Sequence, residues 1–422
     1  MHYTKEAPGR ISGSSLGLLS RHSQCCVLDA TPDIAVSYDR MGRVAAVGDV
    51  LGVRTNIYDS NTLVLVEERL PDGVILSRSY DEYGRASGIG LGEAYSVAYG
   101  YDTRGRLGSV SSSVAEVSFE AEYSYVPDGR LLSGYSLRPA GSGAGLAVER
   151  TYEPHRDLVL AITNRWDGEM ISSFSYTNDA AGRRVQRVDS GSVTNTFGYN
   201  VRSELIEAVM GTNRYSYRYD EIGNRQVVTN NGEVWYYLVN ELNQYTNIHD
   251  GVTNVPGYDA DGNLTNWAGW AFTWNGENRL RQARKGTTVV EFAYDYLGRR
   301  VRKVVNGATN RFVYDGWNLV AEVRDQMSEV GTNYYVWGLD LSGSLQGAGG
   351  IGGLIAAVQD GEVYFPCYDA NGNITDYIDE SGTNIVAHYE YDPYGNVIAQ
   401  TGAKADDLNP TFADKRVEPR VP

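Results

Sequence analysis

The chain has 422 residues, with 32 tyrosines and 48 glycines against 8 phenylalanines and 12 prolines, a composition of many half-buried strands joined by many turns. Its formal net charge of −16 argues against a nucleic-acid-binding chain, which needs basic patches to neutralise phosphates. The 3 cysteines, Cys25, Cys26 and Cys367, form neither a fully paired disulfide framework nor a CxxC metal pair, and no run approaches the ~18 apolar residues of a membrane span.

Residues 1–34 carry no repeat and read as an irregular N-terminal segment. Met1 to Arg21 lacks the apolar core of a secretory signal. Gly13-Ser14-Ser15-Leu16-Gly17 spells the GxSxG of a nucleophile elbow, which needs an apolar strand before it and a helix after it. Ala7-Pro8-Gly9-Arg10 precedes it and Leu18-Leu19-Ser20-Arg21 offers little helix, so no hydrolase is expected.

From residue 35 to 333 a repeat takes over. The pattern Tyr-Asp-x-x-Gly occurs at Tyr38, Asp39, Gly42; Tyr80, Asp81, Gly84; Tyr101, Asp102, Gly105; Tyr219, Asp220, Gly223; Tyr258, Asp259, Gly262; and Tyr294, Asp295, Gly298. It returns beyond the array at Tyr368, Asp369, Gly372 and at Tyr391, Asp392, Gly395. Degraded copies begin at Tyr58, Tyr125, Tyr176, Tyr199, Trp274 and Tyr314, and many spacings are 20 to 22 residues. A fixed period decides the architecture before any single motif does.

One unit can be read residue by residue. Aromatic or apolar residues two apart, as at Tyr215/Tyr217/Tyr219 and Phe292/Tyr294, share one face of a strand. The Asp suits the first position of a turn, where its carboxylate accepts from amides ahead. The Gly takes positive φ at little cost, and Asn278 and Asn318 are expected to replace it. An Arg or Asn then leads an alternating apolar exit, such as Arg43-Val44-Ala45-Ala46-Val47, and a polar loop returns the chain. Each repeat is one β-hairpin, and hairpins in series give an all-β fold, a long spiralling antiparallel sheet. The basic stretch Arg299 to Lys303 reads as a solvated strand face.

Residues 334–402 hold a Gly-rich segment and two further YD units, and 403–422 form a divergent tail whose best helix candidate is Ala403 to Asp407. Gly347-Ala348-Gly349-Gly350-Ile351-Gly352 matches GxGxxG, but Leu354 to Val358 reads as a short strand and not as the helix a dinucleotide site requires. A flexible or a closely packed glycine segment remains. Asp259-Ala260-Asp261-Gly262-Asn263 resembles the start of a calcium loop, but its glycine is misplaced and no Glu closes the loop. No metal, no cofactor and no catalytic residue is expected.

The YDxxGR and YDxxGN units resemble the YD repeats of RHS and teneurin-type proteins, over about Ala35 to Gln400. Tyr335-Val336-Trp337-Gly338-Leu339-Asp340 with its glycine tract is similar to the segment before the RHS core, and Tyr389 to Asn396 to the core entry. The resemblance implies a spiral sheet forming part of a hollow shell around a C-terminal toxin, in a parent that is secreted or at the cell surface. Its partners would be a toxin cargo or the remainder of the shell. It also implies an aspartate-based self-cleavage motif after the core. After Gly395 the chain departs from that pattern, so the scaffold role is carried over and the cleavage is not. The chain is expected to leave the shell open. The alternative reading is a surface adhesin or carbohydrate-binding module using its tyrosine rows, which ring exposure discriminates. A WD-type propeller needs about twice this period.

Overall fold

The computed structural model describes residues 3–5, 11–13 and 33–408, apart from residues 50, 250, 252, 327, 328 and 383. These residues form 37 strands and a single 3-10 turn, Ser190–Ser192, so the fold is all-β. GxSxG, Cys25 and Cys26 lie largely outside the described residues. Among the described residues no helix is long and apolar enough to cross a membrane.

Within each of two sheets every strand pairs antiparallel with its neighbours in the chain, as in the run Ile75–Tyr80, Ala86–Leu91, Tyr95–Tyr101 and Leu107–Val114. The pairing makes two sheets, one of 23 strands ending at Thr253–Asn254 and one of 14 strands from Gly257–Tyr258 to Val397–Thr401. Pro256 sits at the break, where it has no N–H to give a ladder. Among the described residues neither sheet closes on itself.

Most strands show the expected alternation of a sheet with one solvated face. Three do not. Leu354–Gln359, Glu362–Tyr368 and Ile374–Asp379 are buried on both faces nearly throughout. One face meets the first sheet, with the Phe365 ring 5.8 Å from Phe119 and 6.0 Å from Trp166. The other lies under residues 402–408, where the Tyr389 hydroxyl donates to the Ala405 carbonyl at 2.8 Å and the Lys404 ammonium stands 5.5 Å from the Tyr364 ring. One core therefore joins residues 76–166 of the first sheet to residues 312–408. Ala403 to Asp407 forms a turn and not a helix, closed by the Leu408 amide on the Lys404 carbonyl at 2.9 Å.

Candidate functional site: the turn ladder and the seam between the sheets

The YD turn is a closed box. Asp39 Oδ1 accepts the amides of Met41 (2.8 Å) and Arg43 (2.9 Å), while Oδ2 accepts Arg43 Nε at 2.7 Å. Asp81 with Arg85, Asp102 with Arg106 and Asp295 with Arg299 repeat it. Where Asn takes the Arg position its Nδ2 donates instead, from Asn224 to Asp220 (2.8 Å), Asn263 to Asp259 (3.0 Å), Asn373 to Asp369 (2.9 Å) and Asn396 to Asp392 (2.8 Å). The eight motif glycines lie at φ between +77° and +97°, a region open to Gly without steric cost. The Arg106 amide, then its guanidinium, hold the Asp102 carboxyl below the usual carboxylate range against a burial effect of opposite sign. At Asp259 the carboxylate is engaged by this turn, and no group of three metal-ligating side chains occurs among the described residues.

The tyrosine does more than pack. Its hydroxyl donates to the carbonyl of the residue just past the preceding turn: Tyr80 to Leu65 (2.9 Å), Tyr101 to Ala86 (2.8 Å), Tyr219 to Leu205 (2.8 Å), Tyr368 to Leu354 (2.7 Å) and Tyr391 to Ile374 (2.6 Å). Tyr258 reaches Tyr245 at 3.1 Å, which carries this ladder across the break between the sheets. Trp274 and Trp337 use the indole N–H for the same bond, to Leu264 (2.7 Å) and Leu319 (2.6 Å). A buried carbonyl needs a donor, and phenylalanine has none, so tyrosine is the residue these positions require. The box Arg then stacks on the next unit's ring, 4.1 Å for Arg43 on Tyr58 and 4.0 Å for Arg85 on Tyr101. Tyr38 ends the strand Ala35–Tyr38, and Tyr294 packs in a second core cluster with Phe272 and Phe292.

Three details of the sequence reading need correction. The unit assigned to Tyr176 turns at Asp179, so Asn178 holds the tyrosine position and Tyr176 is free to reach the other sheet. Asn278 takes φ +59° as expected, but Asn318 does not take positive φ; it pairs with Asp315 across a tight hairpin whose positive φ falls on Gly316. Turns of the same build also lie at Leu70, Glu153 and Asn240, where the motif is masked because Arg69 and Val239 replace two of the tyrosines and Tyr152 is followed by Glu.

The glycine tract is closely packed. Asp340 gathers it, with Oδ1 accepting Ser342 N (2.9 Å) and Oδ2 accepting the amides of Ala348 (2.6 Å) and Gly350 (3.2 Å). A Cβ on Gly350 would stand 2.5 Å from Asn318 Oδ1 and 3.0 Å from the Trp337 ring.

The turns of the second sheet are riveted to the tyrosine face of the first. Arg78 binds Glu68 (2.5 Å) and Asp315 (2.9 Å), and Arg54 binds Glu68 (3.3 Å) and Asp295 (3.5 Å). Burial would lower the Arg78 pKa, but Asp315 and Glu68 outweigh it and hold the guanidinium charged. Further along, Arg187 meets Asp369 at 3.5 Å and the Ala370 amide donates to the Tyr176 hydroxyl at 2.8 Å. Asp49, in a cleft with Asn275 and Arg279, has its carboxyl pushed up by burial. His388 Nδ1 lies 2.7 Å from Asp376 and Nε2 lies 3.8 Å from Glu390, so the ring sits between two acids that raise its pKa, Asp376 foremost.

The family model described as Teneurin YD-shell matches residues 157–411. The chain belongs to the teneurin YD-shell family. Among curated proteins it is similar to the tRNA3(Ser)-specific nuclease WapA of Bacillus spizizenii (strain DSM 15029 / JCM 12233 / NBRC 101239 / NRRL B-23049 / TU-B-10), 31% identical over 187 residues, which are 43% of this chain and 7% of that protein. It is also similar to double-stranded DNA deaminase toxin A of Burkholderia cenocepacia (strain H111), 28% identical over 197 residues, 42% of this chain and 13% of that protein. Among solved structures, that of TcdB2-TccC3 superimposes with a TM-score of 0.54 at 15% identity, over 88% of this chain and 25% of that one, a likeness of fold. The chain thus spans under a seventh of the length of these curated relatives.

Proposed function

We propose that this YD-shell chain is a wall segment of a toxin-enclosing shell and acts as a scaffold, not as an enzyme. The observation that carries the reading is the ladder itself: the turn carboxylate, the box Arg or Asn and the tyrosine hydroxyl of one unit are engaged by that unit and its neighbours. A wall built this way needs no ligand to hold its polar groups. The cargo, or the remainder of the shell, would be the partner, in a parent secreted or held at the cell surface. Residues 35–333 would serve as the hairpin array and 334–402 as the segment leading into the core.

The carbohydrate reading draws less support. All eight motif tyrosines are half-buried or buried, and the Tyr101 ring lies 4.0 Å from the Arg85 guanidinium. The test is to incubate the purified chain with tRNA and with double-stranded DNA and to follow strand cleavage and cytosine deamination. The scaffold reading expects neither above a buffer control. Turnover that co-purifies with the chain and disappears on a single substitution would overturn it.

A further inference from the structure

The second sheet covers the first in sequence order. Asn275 and Glu277 share a cleft with Ile34 and Asp49. Asp295 then meets Arg54, Asp315 meets Arg78, the Leu339 amide meets the Tyr123 hydroxyl at 3.3 Å, and Ala370 meets Tyr176. Tyr394 comes last. It is the tip of the Asp392–Gly395 turn, edge-on to Tyr217 at 5.0 Å, hydroxyl to hydroxyl with Tyr219, and 4.0 Å from the Arg225 guanidinium. Every one of these contacts is made by a turn or loop of the second sheet on the tyrosine face of the first.

That face runs on past Tyr394. Tyr217 lies opposite Val228, and Val228 opposite Trp235; two residues further, Tyr237 lies opposite Ile248. Residues opposite one another, and residues two apart, share a face, so Trp235 and Tyr237 continue the surface on which Tyr394 sits. Here the first sheet stands away from the main core, with Ala208, Tyr215 and Tyr217 forming a small cluster of their own. On the strand Glu233–Val239 the rings of Trp235 and Tyr237 are partly exposed on this face, while Tyr236 and Leu238 project from the opposite one.

We propose that strands 213–219, 225–230, 233–239 and 245–249 form a docking surface for one further hairpin of the YD type, seated by the apolar tip of its turn. Continuity identifies the occupant. The preceding seats on this face take turns or loops of the same sheet, and the seated Tyr394 shows how an aromatic tip fits between two tyrosines and an arginine. The inference goes beyond the wall reading, which stands or falls on the turnover assays above.

The experiment uses the full chain and a disulfide-closed synthetic hairpin of residues 385–401 with a benzophenone photocrosslinker in place of Tyr394. Crosslinks are mapped by mass spectrometry after irradiation. Crosslinks to residues 233–249, suppressed by excess unlabelled hairpin but not by the hairpin carrying Tyr394→Ala, are the expected result. Crosslinks confined to residues 213–225 would mean that the peptide only exchanges with the chain's own hairpin, and would overturn the proposal. Absence of specific crosslinks would overturn it too, as would self-association of the chain through residues 233–249, which would make a second copy the occupant.

Discussion

Asp295 and Asp392 occupy the same position of the same turn, and replacing each by Ala compares a buried box closed by an arginine with an exposed box closed by an asparagine. Asp295 is 1% exposed and accepts from the Leu297 and Arg299 amides (3.0 and 2.9 Å), from Arg299 at 2.6 Å and from Arg54 of the first sheet at 3.5 Å. Its removal strands the Arg299 guanidinium, whose side chain is 4% exposed. Breaking a buried ion pair and leaving its partner costs about 3–5 kcal/mol. Asp392 accepts from the Tyr394 and Asn396 amides (2.9 Å each) and from Asn396 Nδ2 (2.8 Å), bonds in an exposed turn that leave no charge behind. Loss of such bonds costs about 1 kcal/mol. Urea unfolding followed by circular dichroism should therefore put Asp295→Ala well below Asp392→Ala in stability. Equal losses would refute the buried Asp295–Arg299 pair as the source of the difference.

Three further outcomes follow from the geometry. Tyr368→Phe removes the donor to the Leu354 carbonyl (2.7 Å) inside the core and should cost about 1–3 kcal/mol, read from the same urea transition. Asp49, whose folded pKa is raised by burial, favours the fold fully only below its unfolded pKa of about 3.9, and that contribution is lost as pH rises through the folded value. Asp49→Asn keeps an oxygen for the Leu51 amide (2.9 Å) and should raise the melting temperature at pH 7, with the gain shrinking toward zero as pH falls below about 3.9. Cys367 is buried, and burial pushes its thiol up with Asp376 adding to it. In a Cys25→Ser, Cys26→Ser background it should resist a thiol-reactive dye until the chain unfolds.

The parts of this architecture that were legible in the sequence are the local ones. The Asp–Gly spacing and the period-two aromatic rows specify a hairpin within a few residues, so the all-β array could be read directly. Leu354 to Val358 also announced a strand, and its continuous apolar run is what burial on both faces requires. The tyrosine hydroxyl bond was not legible, because its acceptor is any carbonyl some 15 residues back and carries no side-chain signature, as with Tyr80 and Leu65. The displaced turn at Asp179 hid behind Tyr176, whose ring serves the other sheet. The seam was out of reach for a different reason: Arg78 and Asp315 are 237 residues apart, and an arginine on a strand face looks the same whether it meets water or a carboxylate. Lys303 makes the point, since a stretch read as a solvated face contains a residue that is 3% exposed.

Native-state hydrogen exchange, resolved strand by strand, tests the two-layer wall most directly, because local opening free energy follows burial and packing. The account predicts the deepest protection in Leu354–Gln359, Glu362–Tyr368 and Ile374–Asp379, which are packed on both faces, and much weaker protection in the exposed last strand Val397–Thr401. Exchange in the three inner strands as fast as in Val397–Thr401 would mean that the second sheet does not lie against the first, and the account would fail.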